Sequence, residues 1–532
     1  MSKRFTNTRV LMGFIIRRDR IRLPLWILGI SIFAVSIAAL LPELYTGAAD
    51  KLVLAETVKN PAVTFMLGPS AGLDNYTDGA MMGHFMLVFT AIFVAIMNIL
   101  LVTRHTREDE EEGRTEMINS LPVGSLSNLT ATSLILTISN VLIFLLVGLG
   151  LYILGIETMG LEGSLLFGAS IGVVGIFYIA LTGLFAQLTS NVRATLGFLF
   201  TFLIGEYFLR GVGDISYEVL SYITPLGLIT RTEVYVNNHW WPILVLLIVS
   251  ILVFALSLYL NSIRDFGAGF ISTKPGKSHA SRYLSSPLGL ARRLERTPII
   301  AWAIGMFILG TAYGSLLGEL EGFLSTSELV QMMIPSAPGM SLTESFIAML
   351  ITIISALATI PLVMFVLKLN TEEKKNRISQ LLATPISRNS LIGSYTAIGL
   401  VSSLVMQLMS VLGLWSAATF VMEDLISFKV LFKAAYANIP AMWIFIGVAV
   451  FLIGLFPRLT GLTWAYLAYS FFVEYLGEML KLPEWMVKIS PFYHIPSIPA
   501  EDVKISTLMI LAGIALILIG LGFVGYNRRD IE

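Results

Sequence analysis

The sequence predicts an all-α polytopic membrane protein, and three observations carry that prediction. Of its 532 residues, 56% are apolar and only 13% charged, far more apolar sequence than a soluble core of that size uses. The apolar residues fall into twelve runs, each of about 20 residues, the length a helix needs to cross roughly 30 Å of hydrocarbon. Charge collects between the runs, most densely in REDEEEGRTEMINSLPVG (107–124), where Glu108 to Glu112 are five consecutive acids.

In chain order the runs lie near 23–42, 83–103, 128–154, 164–188, 194–210, 241–261, 298–317, 345–368, 390–419, 431–456, 460–480 and 506–527. Several contain Gly, Pro or Ser, which membrane helices tolerate when neighbouring helices satisfy the freed backbone groups. The basic N-terminus (Lys3, Arg4, Arg9, Arg17, Arg18, Arg20, Arg22) leads into the first run with no small-residue cleavage site, so the first span is expected to act as its own signal. With twelve crossings and a cytoplasmic N-terminus, 26 of the 35 basic residues fall inside and 9 outside, as the positive-inside rule requires. Both termini are then expected to be cytoplasmic, in a multi-pass membrane protein.

The chain also repeats itself. EEEGRTEMINSLPVG (110–124) aligns with EKKNRISQLLATPIS (373–387), placing Glu110, Arg114, Ile118, Pro122 and Val123 over Glu373, Arg377, Leu381, Pro385 and Ile386. GLFAQLTSNVRA (183–194) lies over GLFPRLTGLTWA (454–465), Glu206-Tyr207 over Glu474-Tyr475, LSYITPLGLI (220–229) over VKISPFYHI (487–495), and Arg264-Asp265 over Arg529-Asp530. Offsets stay between 263 and 271, so one six-helix unit is written twice. An even number of spans per unit makes the repeats parallel. The division is residues 1–261 for the first half, 262–297 for a basic cytoplasmic linker, and 298–532 for the second half. The linker's Pro275-Gly276-Lys277-Ser278 lacks the Gly a P-loop needs at 271, where Ile stands, and reads instead as flexible basic chain facing anionic lipid.

The acidic stretch and its second copy both follow the second span of their half. Glu110 and Arg114, like Glu373 and Arg377, stand at i,i+4 with the acid first, a spacing that supports a short helix. Met117, Ile118 and Leu121, and in the second copy Ile378, Leu381 and Leu382, are expected to form one apolar strip on it, closed by Pro122 and Pro385. Such a helix suits docking of a soluble partner; the alternative is a solvated loop that maintains topology.

These residues carry a resemblance. TEEKKNRISQLLATPISR (371–388) is similar to the coupling helix of ABC-2-type transporter permeases, a pattern like E-E-x-x-x-R-x-x-x-L-L-x-[ST]-P-[VI]-[ST]-R after their second span. The first copy departs from it at Asn119, Leu121, Gly124 and Ser125. Pro225 and Pro491, before the last span of each half, resemble that family's re-entrant outer segment, and the two-copy chain looks like the fused permeases described as polyketide-antibiotic exporters. The resemblance implies a permease that binds two copies of a separately encoded cytoplasmic ATPase, which holds the ATP and Mg. This chain, lacking a complete P-loop, is expected to hold no cofactor, to hydrolyse nothing itself and to bind no nucleic acid. It further implies alternating access and export of a small amphipathic drug, antibiotic or peptide-like substrate.

Glu206 and Glu474 occupy equivalent places near the outer ends of their predicted spans, where an acid either reaches the interface or lines a substrate path. Phe89, Phe93, Phe198, Phe202, Phe471 and Phe472 serve equally as an adaptable path wall or as packing and lipid-facing residues. An ion-coupled carrier would be expected to hold charges mid-span, yet the first, third, fourth, seventh, ninth and tenth runs hold none there. An ABC-linked membrane sensor is the remaining alternative. Absence of Cys excludes disulfides and a cysteine nucleophile, and five scattered His show no metal-ligand spacing.

Overall fold

The computed structural model describes residues 3–45, 47–59, 61–271, 278–317, 342–422, 427–476, 482–496, 498 and 505–530. These are 82% helical with no strand, so the protein is an all-α, multi-pass membrane protein. Among the described residues eleven helices are long and apolar enough to span a membrane. The predicted run 460–480 is represented by a helix of 15 residues, Leu462–Leu476, and its residues 477–480 lie outside the described residues, as do Pro275, Gly276 and Lys277 of the linker. The chain folds as two compact units, Met1–Gly276 and Lys277–Glu532.

In the first unit, α1 (Thr8–Arg18) leads into α2 (Arg22–Leu44). Helix α3 (Asp78–Thr103) is capped by Thr77, whose hydroxyl accepts from the Ala80 amide. It continues through a π turn (Arg104–Glu108) and Asp109–Glu111, about two turns beyond the predicted end at 103. A short α4 (Arg114–Asn119) follows, then α5 (Ser127–Ile153), α6 (Leu161–Leu188), α7 (Val192–Ile215) and α8 (Trp241–Ile263). Helix α6 is the axis of this unit, in contact with α3, α5, α7 and α8. Close approach depends on small residues: a Cβ added at Gly168 would lie 2.4 Å from the Phe144 carbonyl, and one at Gly175 would lie 1.9 Å from Asn140 Oδ1.

The second unit comprises α9 (Pro287–Leu316), α10 (Leu342–Lys374), α11 (Arg377–Leu382), α12 (Arg388–Val421), α13 (Phe428–Ala437), α14 (Ile439–Leu455), α15 (Leu462–Leu476) and α16 (Ile505–Arg528). Here α10 touches α12, α14 and α15. Glycine again sets the spacing. A Cβ at Gly454 of α14 would meet the Gly522 carbonyl of α16 at 2.0 Å, and one at Gly413 of α12 would meet the Phe307 carbonyl of α9 at 2.1 Å. Lipid gives apolar helices no reason to associate with one another rather than with acyl chains, so this backbone-to-backbone contact supplies much of the attraction.

Polar side chains inside the helices must find partners within the protein. Asn98 of α3 and Asn140 of α5, both fully buried, exchange amide hydrogen bonds of 3.1 and 2.9 Å, and each also donates to the carbonyl four residues earlier. In the second unit Gln407 of α12 donates to Ser355 Oγ at 2.6 Å and to the Ala435 carbonyl at 3.1 Å. A double-mutant cycle between Asn98→Ala and Asn140→Ala should return a coupling of about 0.6 to 1.7 kcal/mol, the range for hydrogen bonds between membrane helices. Reversible unfolding of the purified chain in mixed micelles measures it; strictly additive losses would show the two amides to be independent.

Candidate functional site

The repeated charged segment is built by the same break in both units. Helix α3 ends at Glu111, Gly113 takes a left-handed conformation (φ 73°), and α4 starts at Arg114. Helix α10 ends at Lys374, Asn376 is left-handed (φ 54°), and α11 starts at Arg377. Gly adopts this conformation freely and Asn is among the few other residues that tolerate it. The first segment is pinned to the N-terminus: Asn7 Nδ2 donates to the Pro122 carbonyl at 2.7 Å, and the Gly124 and Leu126 amides donate to Thr6 and Arg4. The second is followed by α12, whose first turn is capped by the Ser387 hydroxyl accepting from the Ser390 amide.

The left-handed residue separates the acid and base of each expected i,i+4 pair, and neither pair forms. Arg114 bonds Asp109 instead (Nε to Oδ1, 2.7 Å) and also Glu112. Burial opposes its charge, but the hydrogen bond and charge of Asp109, with Glu112 beside it, outweigh that and hold the Arg114 guanidinium above its ordinary value. Glu110 reaches a different element. Its two oxygens accept from Arg264 Nη1 and Nη2 at 2.9 Å each; Oε1 also takes the Gly267 amide at 2.7 Å, and Oε2 lies 3.1 Å from Arg107 Nη1. The second unit repeats the exchange. Arg377 bonds Glu372 at 3.0 Å, while Glu373 binds Arg529 in a fork of 2.5 and 2.6 Å. Arg264 and Arg529 directly follow the last helix of their units, so each carboxylate fastens the end of its unit's second span to the end of its last.

The expected single apolar strip divides between inside and outside. Met117 and Leu121 are 73% and 59% exposed, whereas Ile118 packs against the core. Ile378 is buried, with Leu381 and Leu382 partly buried above it. Pro122 and Pro385 are both exposed and end their segments. The outward charges are of opposite sign in the two units: Glu111, Glu112 and Glu116 are exposed on the first segment, Lys374, Lys375 and Arg377 on the second.

The substrate-path candidates are placed unequally. Glu206 of α7 is 3% exposed, inside its unit, and accepts from the Tyr178 hydroxyl of α6. One turn on, the buried Arg210 donates to the Phe65 and Met66 carbonyls at 2.6 and 3.1 Å and meets Asp214 at 3.2 Å. Glu474 of α15 is half-buried and accepts from the Ser490 hydroxyl at 2.8 Å. Phe89 and Phe93 stack edge to face at 5.2 Å and both present open ring area; Phe198 is exposed and stacks on Phe185 at 5.9 Å. Phe202 packs inward against Phe177 and Tyr178, Phe471 stacks on Tyr475, and Phe472 is exposed. Sequence reasoning did not single out Arg210, and it used Arg264 and Arg529 only to mark the repeat, although their matched positions after the last spans were the available signal. Among the described residues no group of His, Asp and Glu is arranged to hold a metal ion.

Comparison with known proteins bears on both units. The family described as "Multidrug efflux system permease Rv1217c, C-terminal domain" matches residues 9–260 and 284–527, one stretch in each unit. The multidrug efflux system permease protein Rv1217c of Mycobacterium tuberculosis is 31% identical over 535 residues, covering 99% of this chain and 96% of that protein.

The geometry ranks the charged residues differently from the i,i+4 reading. Glu110→Gln leaves the partly buried Arg264 and the fully buried Arg107 short of charge and should cost on the order of 3 kcal/mol. Glu112→Gln, in an exposed pair, should cost about 1 kcal/mol or less. Thermal unfolding of the purified variants compares them, and equal losses would contradict the assignment of Glu110 to Arg264.

Proposed function

Because the chain belongs to the Rv1217c family of multidrug efflux permeases, we propose that it is the permease of an ABC-2-type exporter, driven by two separately encoded cytoplasmic ATPase subunits. Both termini and both charged segments then face the cytoplasm in a bacterial plasma membrane, and ATP and Mg belong to the partner. The observation that carries this reading is the duplicated segment itself. In each unit a short helix is set apart by a left-handed residue, carries exposed side chains, and is fastened by a carboxylate to the end of the last span. A segment braced in this way transmits a push to two spans together, the requirement for rocking a helical unit between inward- and outward-open states.

The substrate would be a small amphipathic drug- or antibiotic-like molecule, for which the exposed rings of Phe89, Phe93, Phe198 and Phe472 offer adaptable apolar contact. Glu206, enclosed with Tyr178, is better placed to hold α7 against α6 than to meet a substrate directly.

One chain that supplies two docking segments should purify with two ATPase chains, and native mass measurement of the complex decides this; a particle with two permease chains would refute it. Arg377→Glu, on an exposed basic face, should weaken ATPase binding about tenfold and reduce ATP-dependent drug efflux in parallel, with membrane insertion unchanged. Full binding and full efflux in that variant would remove the second segment from the docking role.

A further inference from the structure

Three residues, two acids and a group able to carry positive charge, recur at matched positions at the base of each charged segment. Asp19, just after α1, is 1% exposed; its Oδ2 lies 2.5 Å from Nε2 of the buried His105, and its Oδ1 lies 3.4 Å from Arg104 Nη1. The other face of the ring points at a second carboxylate, with Nδ1 3.9 Å from Asp109 Oδ2 and without a hydrogen-bond partner. Asp109 also meets Arg18 at 2.6 Å and Arg114 at 2.7 Å. An imidazole is thus enclosed between one acid that follows the lead-in helix of the first span and one at the end of the second span.

The second unit carries an acid, a cation and an acid at the matched positions. Asp19, Arg20, Trp26 and Gly29 fall over Glu295, Arg296, Trp302 and Gly305 at one constant offset, and His105, Asp109 and Arg114 fall over Lys368, Glu372 and Arg377 at another. Lys368 Nζ lies 3.4 Å from Glu372 Oε1. Glu295, 4% exposed, is close enough to both that Lys368 attracts its charge and Glu372 repels it. Two carboxylates held together away from water repel strongly unless a cation stands between them. Imidazole and alkylammonium groups differ in shape, volume and flexibility, and what they have in common is the capacity for positive charge.

We infer that His105 and Lys368 are positioning cations: each pins the lead-in helix of its unit's first span (α1, or residues 287–297 of α9) to the segment that follows the second span, so that the two move as one piece. The functional consequence rests on the docking role proposed above, because a displaced docking segment then drives the first span directly as well as the second. The pin itself does not depend on that role.

The chain contains no Cys, so two introduced cysteines carry the only spin labels. Gly13→Cys on α1, where an added Cβ meets nothing within 4 Å, and Ser120→Cys after α4 report the first pin. Pulsed EPR on the full-length chain in lipid nanodiscs at about pH 5.5 should show a narrow distance distribution. H105Q should at least double its width, and H105K should restore it. A packing role predicts the reverse, with the neutral near-isostere tolerated and Lys disruptive; H105Q as narrow as the parent, or H105K as broad as H105Q, overturns the inference. The half-exposed Lys368 provides the control against misfolding. With labels at Arg292→Cys and Ser379→Cys, K368M should broaden and K368H remain narrow, and an unbroadened K368M likewise overturns it. No ATPase is needed, so failure of ATPase binding with these widths as expected would reject the docking role and leave the pins in place.

Discussion

The fork between a carboxylate and the guanidinium after the last span, Glu110 with Arg264 and Glu373 with Arg529, is the interaction from which the rest of each unit's charged end follows. A helix that spans lipid satisfies its own backbone but leaves its terminal groups to be matched at the interface. Here the last helix does not simply end there. Its trailing arginine is drawn to an acid four chain crossings earlier, and that contact ties the end of the second span to the end of the last. With Glu110 committed to Arg264, Arg114 pairs with Asp109 and Glu112, and α4 is turned so that Ile118 faces inward while Met117 and Leu121 face outward. Planar bidentate geometry makes Arg the suitable cation, since Lys offers a point charge without direction.

Much of this was legible in the sequence. The spans are legible because lipid demands apolar length, and the repeat because matched residues such as Glu373, Arg377 and Pro385 keep their spacing. The pairing was not. An i,i+4 argument assumes an unbroken helix between its two residues, and Gly113 and Asn376 break it; Gly113 was a visible warning, whereas Asn376 is an ordinary helix-surface residue by type. The partners of Glu110 and Glu373 lie 154 and 156 positions away, and no local pattern points across that distance. Glu206 and Glu474 teach the converse lesson. They align in sequence, yet one accepts from Tyr178 of a neighbouring helix inside its unit and the other from Ser490 of a non-helical turn in a half-buried setting, because the surrounding elements supply different hydroxyls.

The duplicated architecture thus keeps its framework and varies its surface. The left-handed break and the fork recur. The hydrogen-bonded polar centre does not: an Asn pair joins α3 to α5 in the first unit, and Gln407 with Ser355 joins α12 to α10 in the second. Buried polar groups can be exchanged for others provided that every donor finds an acceptor, so several solutions satisfy the same helix pairing.

The opposite charges on the two exposed segments, Glu111, Glu112 and Glu116 on one and Lys374, Lys375 and Arg377 on the other, carry a consequence for ancestry and symmetry. A half-length chain working as a two-fold pair presents every surface twice, and any substitution that suits one side is imposed on the other. A chain that holds both copies is released from that bond. Each segment can be tuned on its own, so an order of events between left and right can be written into the primary structure of a single polypeptide even when whatever it meets is symmetric.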